Sequence, residues 1–223
     1  MVPLGKSLLQ LRLATDADIE TIADEERLTF SGDDELTSPY DSKYLEDISE
    51  EIKRNNKEKE IQIIFRRSPV DITNRYNYVL DKYKDIIIPI EPLWSNKSEN
   101  WSTLFPYFND VKLLANICYH SDLVMNIGST MALDFAFFDK PAAYLNYDTN
   151  KGEKWSVNTI YKFQHFRSMP NKSSVYWINS KEEIIESIRK AFHNKDSLAK
   201  DWLKIINISN DNISLNIVHQ ITN

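Results

Sequence analysis

The stretch SDLVMNIGSTMALDFAFFDKPAAYLNYD, Ser121 to Asp148, decides how the rest of the chain is placed. Leu123 to Ile127 is an apolar run of strand length. Gly128-Ser129-Thr130 is a turn of small residues. Ser129 to Phe138 reads as a helix, with one acid, Asp134, inside it. Lys140-Pro141 follows that helix, and Pro141 to Asn146 reads as a second apolar strand. Strand, helix and strand in this order imply a right-handed crossover and a parallel pair.

Upstream, the same alternation repeats. NDVKLLANICYHS predicts a helix, with Asn109 or Asp110 as its cap. DIIIPI is a strand, and a polar-aromatic loop from about Glu91 to Phe108 follows it. DITNRYNYVLDKYK predicts a helix with Tyr76, Val79, Leu80 and Tyr83 inward. IQIIFRR is a nearly continuous apolar strand, as expected where both faces are covered. In SPYDSKYLEDISEEIKRNNKEKE, Tyr44, Leu45, Ile48 and Ile52 fall on one helical face. RLTFSGDDE offers a first strand ending at Ser31-Gly32. Residues 1–26 announce no strand and are expected to be a lead-in, with one domain over 27–223.

Downstream, residues 149–174 show no period. VYWI is a further strand. Ser180 and Glu183 have capping-box spacing before Ile184, Ile185, Ile188 and Phe192. Two helices are expected at about 196–207 and 211–221, holding Trp202, Ile205, Ile206 and Ile217. The whole predicts an α/β fold: a single Rossmann-like, doubly wound parallel sheet of about six strands. Helices cover both faces, and extra helices close the C-terminus.

Composition narrows the function. The 223 residues carry a formal net charge of −6, against a broad nucleic-acid footprint. The single cysteine, Cys118, cannot pair within the chain, which fits a reducing, cytoplasmic setting. It falls on a helix face expected to be buried, where packing is its role. No apolar run is long enough to span a bilayer, and the N-terminus makes a poor signal peptide. There is no G-x-G-x-x-G after a strand, no P-loop, no G-x-S-x-G and no zinc spacing.

Parallel sheets bind ligands beyond the carboxyl ends of their strands, near the reversal of strand order. At Gly128-Ser129-Thr130, backbone N–H groups and hydroxyls suit a phosphate; equally, Ser129 or Thr130 simply caps the helix. Asp134 either gains from the helix dipole or meets ribose hydroxyls. Arg66 suits bidentate phosphate contact, whereas alternation turns Arg67 to the other face. Ser31-Gly32-Asp33-Asp34 is a turn, with Ser31 and Gly32 the candidates for close approach to a substrate and metal the weaker reading. Trp94 and Trp101 either stack on a ligand or plug their loop. His165 and Arg167, in YKFQHFRSM, are candidates to face the same cleft.

Together these pieces resemble the C-terminal, donor-binding half of GT-B glycosyltransferases, over about Arg27 to Phe192. The most specific part is Ser121 to Asp148. The same layout occurs in CDP-glycerol glycerophosphotransferases and UDP-N-acetylglucosamine 2-epimerases. TFSGDDELTSPYD and YKFQHFRSM look closest to bacterial surface-polysaccharide transferases. The resemblance implies that Ser129 and Thr130 hold a donor diphosphate, that Asp134 meets the ribose, and that Arg66 is the basic residue after the second strand. It implies a nucleotide-sugar substrate and no obligatory cofactor or metal. Two departures stand out. Arg66-Arg67-Ser68-Pro69 lacks the histidine of the usual Arg-Pro-His-Pro. Fewer than about thirty residues precede the expected first strand, less than a typical domain. The acceptor site and catalytic base are then expected from an N-terminal domain or partner subunit. The alternatives are a non-catalytic nucleotide-sugar binding module and a relative of the epimerases or CDP-alcohol phosphotransferases.

Overall fold

The computed structural model describes residues 7–12, 42–55, 61–69, 71, 73–95, 105–149, 156–194 and 199–206. Among these residues, six strands form one parallel sheet in the order β3-β2-β1-β4-β5-β6. They are β1 Ser7–Arg12, β2 Ile61–Phe65, β3 Ile87–Pro89, β4 Leu123–Asn126, β5 Ala142–Leu145 and β6 Tyr176–Ile178. The helices are α1 Ser42–Asn55, α2 Asn77–Lys82, α3 Phe108–His120, α4 Met131–Ala136, α5 Val157–Ile160, α6 Ile184–His193 and α7 Lys200–Ile206.

The sheet is covered on both faces. Helix α1 packs with α2 and α6, whereas α4 packs with α3 and α7. Strand β4 meets α6 from the first group and α4 from the second. All four residues of β4 and of β5 are buried, which explains why every one but Asn126 is apolar. On α1, Tyr44, Leu45, Ile48 and Ile52 are wholly buried, as their spacing predicts. Burial of each such aliphatic side chain contributes about 1.5–3 kcal/mol. Lys53 and Arg54 in its last turn meet the negative end of the helix dipole. The buried Asp47 of the same helix is answered by Lys181 Nζ at 3.0 Å.

Four expectations need correction. The first strand of the sheet is Ser7–Arg12, inside the segment expected to be a lead-in, and it is a central strand. Gln10 and Arg12 break its apolar run, so its sequence lacks the signature of a doubly covered strand. The strand expected before Gly32 lies outside the described residues, as does the helix expected at 211–221. Helix α2 starts only at Asn77, because Asp71 accepts from Thr73 N and Oγ1 and from Arg75 Nε, which holds Thr73 and Arg75 outside the helix. The capping box does not close on Ser180: Glu183 Oε2 accepts from Asn179 N at 2.8 Å instead. Ile205 and Ile206 are half-exposed and Trp202 is buried, while Ile217 lies outside the described residues.

Candidate functional site

Strand order reverses between β1 and β4, so the crevice at their carboxyl ends is where a ligand is expected. Asn126, Ile127, Gly128, Ser129 and Thr130 leave β4 there. Gly128 has a φ of +53°, the left-handed region that favours glycine. A Cβ on Gly128 would stand 2.2 Å from Ile160 Cγ2 and 3.2 Å from Phe166 Cζ. The glycine thus serves close packing by the irregular segment 156–169, and that side of the turn is filled.

Ser129 turns inward. It is buried, and its N–H donates to Asn126 Oδ1 at 3.0 Å. Its Oγ accepts from Met131 N at 3.3 Å, and its carbonyl accepts from Tyr144 Oη at 2.7 Å. Ser129 Oγ thus takes one of the free N–H groups at the start of α4, although Thr130 holds the N-cap position. Thr130 is exposed and makes no side-chain cap bond, so it is the member of the pair that faces solvent. Asp134 lies in the first turn of α4, half-buried. Tyr144 is wholly buried in β5, and burial pushes its hydroxyl pKa well up. Its ring stacks on Tyr161 at 5.6 Å and meets Phe166 edge-on at 5.9 Å. Phe166 also contacts Trp202, whose Nε1 donates to Ser168 Oγ at 2.9 Å. An aromatic cluster from β5, the 156–169 segment and α7 thus backs the turn.

On the other side of β1, Arg66 follows β2. It is buried, and its Nη2 lies 2.7 Å from both carboxylate oxygens of Asp110. Asp110 also accepts from Leu93 N at 2.7 Å and from Trp94 Nε1 at 2.8 Å. Burial pushes the Asp110 carboxyl pKa up, but the bonds from Arg66, Leu93 and Trp94 outweigh it, and the net shift is downward. The residue expected as a local cap for α3 instead joins three segments: β2's exit, the 91–108 loop and α3. That loop closes as a ladder stem, with Trp94 bridged to Pro106, Ser95 N bonded to Phe105 O and Tyr107 N to Leu93 O, both at 2.9 Å. Trp94 is part of this stem; Trp101 lies outside the described residues. Leu93, Phe105, Tyr107, Phe108 and Val111 are exposed around it.

Arg67 turns away from Arg66, as alternation predicts, and pairs with Glu91 at 2.7 Å. The pair borders an open cleft lined by Phe65, Thr73, Asn74, Tyr76, Pro89 and neighbouring residues. Arg167 is exposed, and its Nε donates to the Lys162 carbonyl of its own segment at 3.2 Å. The backbone of His165 belongs to the 3-10 turn Gln164–Ser168, while its side chain, like Ser31 and Gly32, is outside the described residues. The structure thus gathers Arg66, Gly128, Ser129 and Thr130 at the carboxyl edge around β1. Sequence reasoning missed Asn126 and Tyr144, and read Asp110 only as a cap. A polar Asn closing the apolar run LVMN was the available signal for Asn126. Among the described residues, no group of three or more His, Cys, Asp or Glu could hold a metal, and no helix is long and apolar enough to cross a membrane.

No known family model matches the chain, and no curated protein matches it. Solved structures do. The UDP-GlcNAc 2-epimerase from Methanocaldococcus jannaschii is 14% identical with a TM-score of 0.41, over 93% of this chain and 46% of its own. That from Neisseria meningitidis, solved with UDP-GlcNAc, is 13% identical with a TM-score of 0.46, over 99% and 45%. The C-terminal domain of a group 1 family glycosyl transferase (LpcC) from Francisella tularensis is 9% identical with a TM-score of 0.46, over 92% and 86%. These are likenesses of fold. The chain spans under half the length of the two epimerases.

Proposed function

We propose that this chain is the donor-binding half of a bacterial glycosyltransferase of polysaccharide biosynthesis, and that it takes a nucleotide sugar at the carboxyl edge between β1 and β4. The observation that carries the reading is the reversal of strand order at β1 and β4, with the Gly128–Thr130 turn and the buried Arg66 on either side of β1. The resemblance of Ser121 to Asp148 to donor-binding halves supplies the ligand class. In this reading Thr130 and Arg66 contact the diphosphate and stabilise it as a leaving group. Asp134 reaches the ribose. Ser129 and Gly128 support the turn from within rather than touching the donor. The reading calls for no metal. The acceptor site and base come from an N-terminal domain or partner subunit, and the setting is cytoplasmic.

A second reading, a non-catalytic nucleotide-sugar binding module, is favoured by Asp110, whose carboxylate is already committed to Arg66, Leu93 and Trp94 instead of to proton transfer. Calorimetric titration of the chain with UDP-, GDP-, CDP- and dTDP-sugars tests both. Binding of one of them is the expected result, and no binding by any sinks the donor reading. Binding with neither transfer nor hydrolysis, after an acceptor and the neighbouring domain or subunit are supplied, selects the module.

A further inference from the structure

Asn126 is the last residue of β4, and its side chain is sealed from solvent. Its Oδ1 accepts from Ser129 N, which fixes which end of the amide faces the turn. The other end, Nδ2, is a buried donor with no acceptor among the described residues. Buried donors are almost always met, so an unmet one asks for an explanation.

Few other buried side-chain atoms share this state. Ser121 Oγ and Ser174 Oγ are hydroxyls ahead of β4 and β6, at the amino edge of the sheet. Asp47 Oδ1 is compensated by Lys181 Nζ at 3.0 Å. Arg66 Nε is the remaining one, and it is an N–H donor at the carboxyl edge. The register brings the two donors together. Asn126 pairs with Arg12 of β1, and Phe65, just before Arg66, pairs with Leu11. Arg66 and Asn126 thus stand on either side of β1, level with its last residue. Residues at one level of a parallel sheet share a face. Their contacts agree: Arg66 bonds to Asp110 of α3, Asn126 bonds to Ser129 at the head of α4, and α3 packs on α4.

We infer that Arg66 Nε and Asn126 Nδ2 are paired donors of one seat over the carboxyl end of β1, taking the oxygens of an oxyanion ligand, and that Asn126 contacts that ligand. The identity of the ligand, a nucleoside diphosphate, rests on the donor-binding reading; the seat itself requires only acceptor oxygens. The two donors sit on strands two spacings apart, roughly 9–10 Å at the backbone. A ligand touching both must therefore present several oxygens, as a diphosphate does.

The test is nitrogen–proton correlation NMR of the chain, following the assigned Asn126 side-chain NH2 pair during titration with UDP, CDP, GDP, dTDP and pyrophosphate. A saturable shift of that pair is expected. Asn126→Asp keeps the acceptor toward Ser129 N and replaces the donor by a carboxylate, so diphosphate affinity measured by calorimetry should fall about tenfold or more; the buried carboxylate also lowers stability, so affinity is read well below the variant's unfolding temperature. If a diphosphate binds yet the pair does not move, or Asn126→Asp binds as tightly as the natural chain, the inference fails and the donor reading stands. If pyrophosphate alone moves the pair, the seat stands and the nucleotide reading falls. If nothing binds, both fall. Should Asn126→Asp fail to fold, the shift in the natural chain decides.

Discussion

Arg66 Nη2 lies 2.7 Å from Asp110 Oδ2, and both side chains are at least 96% sealed from solvent. Removing one partner leaves the other charge buried and unanswered. Asp110→Ala should therefore destabilise the domain by about 3–5 kcal/mol in urea unfolding, whereas replacing both residues by apolar ones of similar size should cost far less. Equal losses in the two variants would mean that the pair is not what holds the segment.

The same carboxylate gives a pH dependence of definite sign. Burial pushes its pKa up, and the bonds from Arg66, Leu93 and Trp94 bring it below the ordinary aspartate value. The folded state therefore binds fewer protons there than the unfolded state. The stabilisation is complete above the unfolded pKa, about 4, and is lost as pH falls through the depressed native value. Stability measured by urea unfolding should fall less steeply below about pH 4 in Asp110→Asn than in the natural chain. Parallel curves would remove Asp110 from the acid transition.

Gly128→Ala meets two obstacles, the φ of +53° and the Ile160 methyl group 2.2 Å from the new Cβ. A loss of about 2 kcal/mol or more is expected. The steric part should vanish when Ile160 is cut to Ala, so a double-mutant cycle should show coupling of about 0.5 kcal/mol or more. Strict additivity would assign the whole loss to backbone strain.

Tyr144→Phe deletes the hydroxyl that donates to the buried Ser129 carbonyl. Loss of that hydrogen bond should cost about 0.5–1.5 kcal/mol in thermal or urea unfolding. Because Tyr144 acts on the turn from behind, nucleotide affinity should drop only a few-fold, less than for Asn126→Asp.

Burial, followed by the charge of Asp134, pushes the Cys118 thiol up to about 12. At pH 8 it is protonated and enclosed. An aromatic disulfide reagent should label it within the unfolding time of the chain and at once in concentrated urea. Immediate labelling of the native chain would show that α3 opens locally.

What the sequence discloses here is what depends on neighbours in the chain. The apolar runs of β2 to β6 and the stripe Tyr44, Leu45, Ile48, Ile52 are local patterns, and they are found where expected. What it hides depends on distant partners. Asp110 looks like a cap by position, but its partners stand at Arg66, Leu93 and Trp94. Ser129 and Thr130 look interchangeable until Asn126 and Tyr144 draw Ser129 inward. Gly128 looks like part of a phosphate-binding turn, yet Ile160 and Phe166, from an aperiodic segment, occupy the space beside it. Ser7–Arg12 is hidden for another reason: Gln10 and Arg12 interrupt it, and its place is set by pairing with β2 and β4.

That pairing also sets the order in which the sheet can be assembled on the ribosome. Leu9 must meet Ile63 on one side and Leu123 on the other. At roughly 5–20 residues per second, synthesis separates Leu9 from Leu123 by an interval on the order of ten seconds. During that interval the strand at the centre of the finished sheet has an uncovered edge, and a nascent chain in that state is open to pairing with other chains or to capture by chaperones.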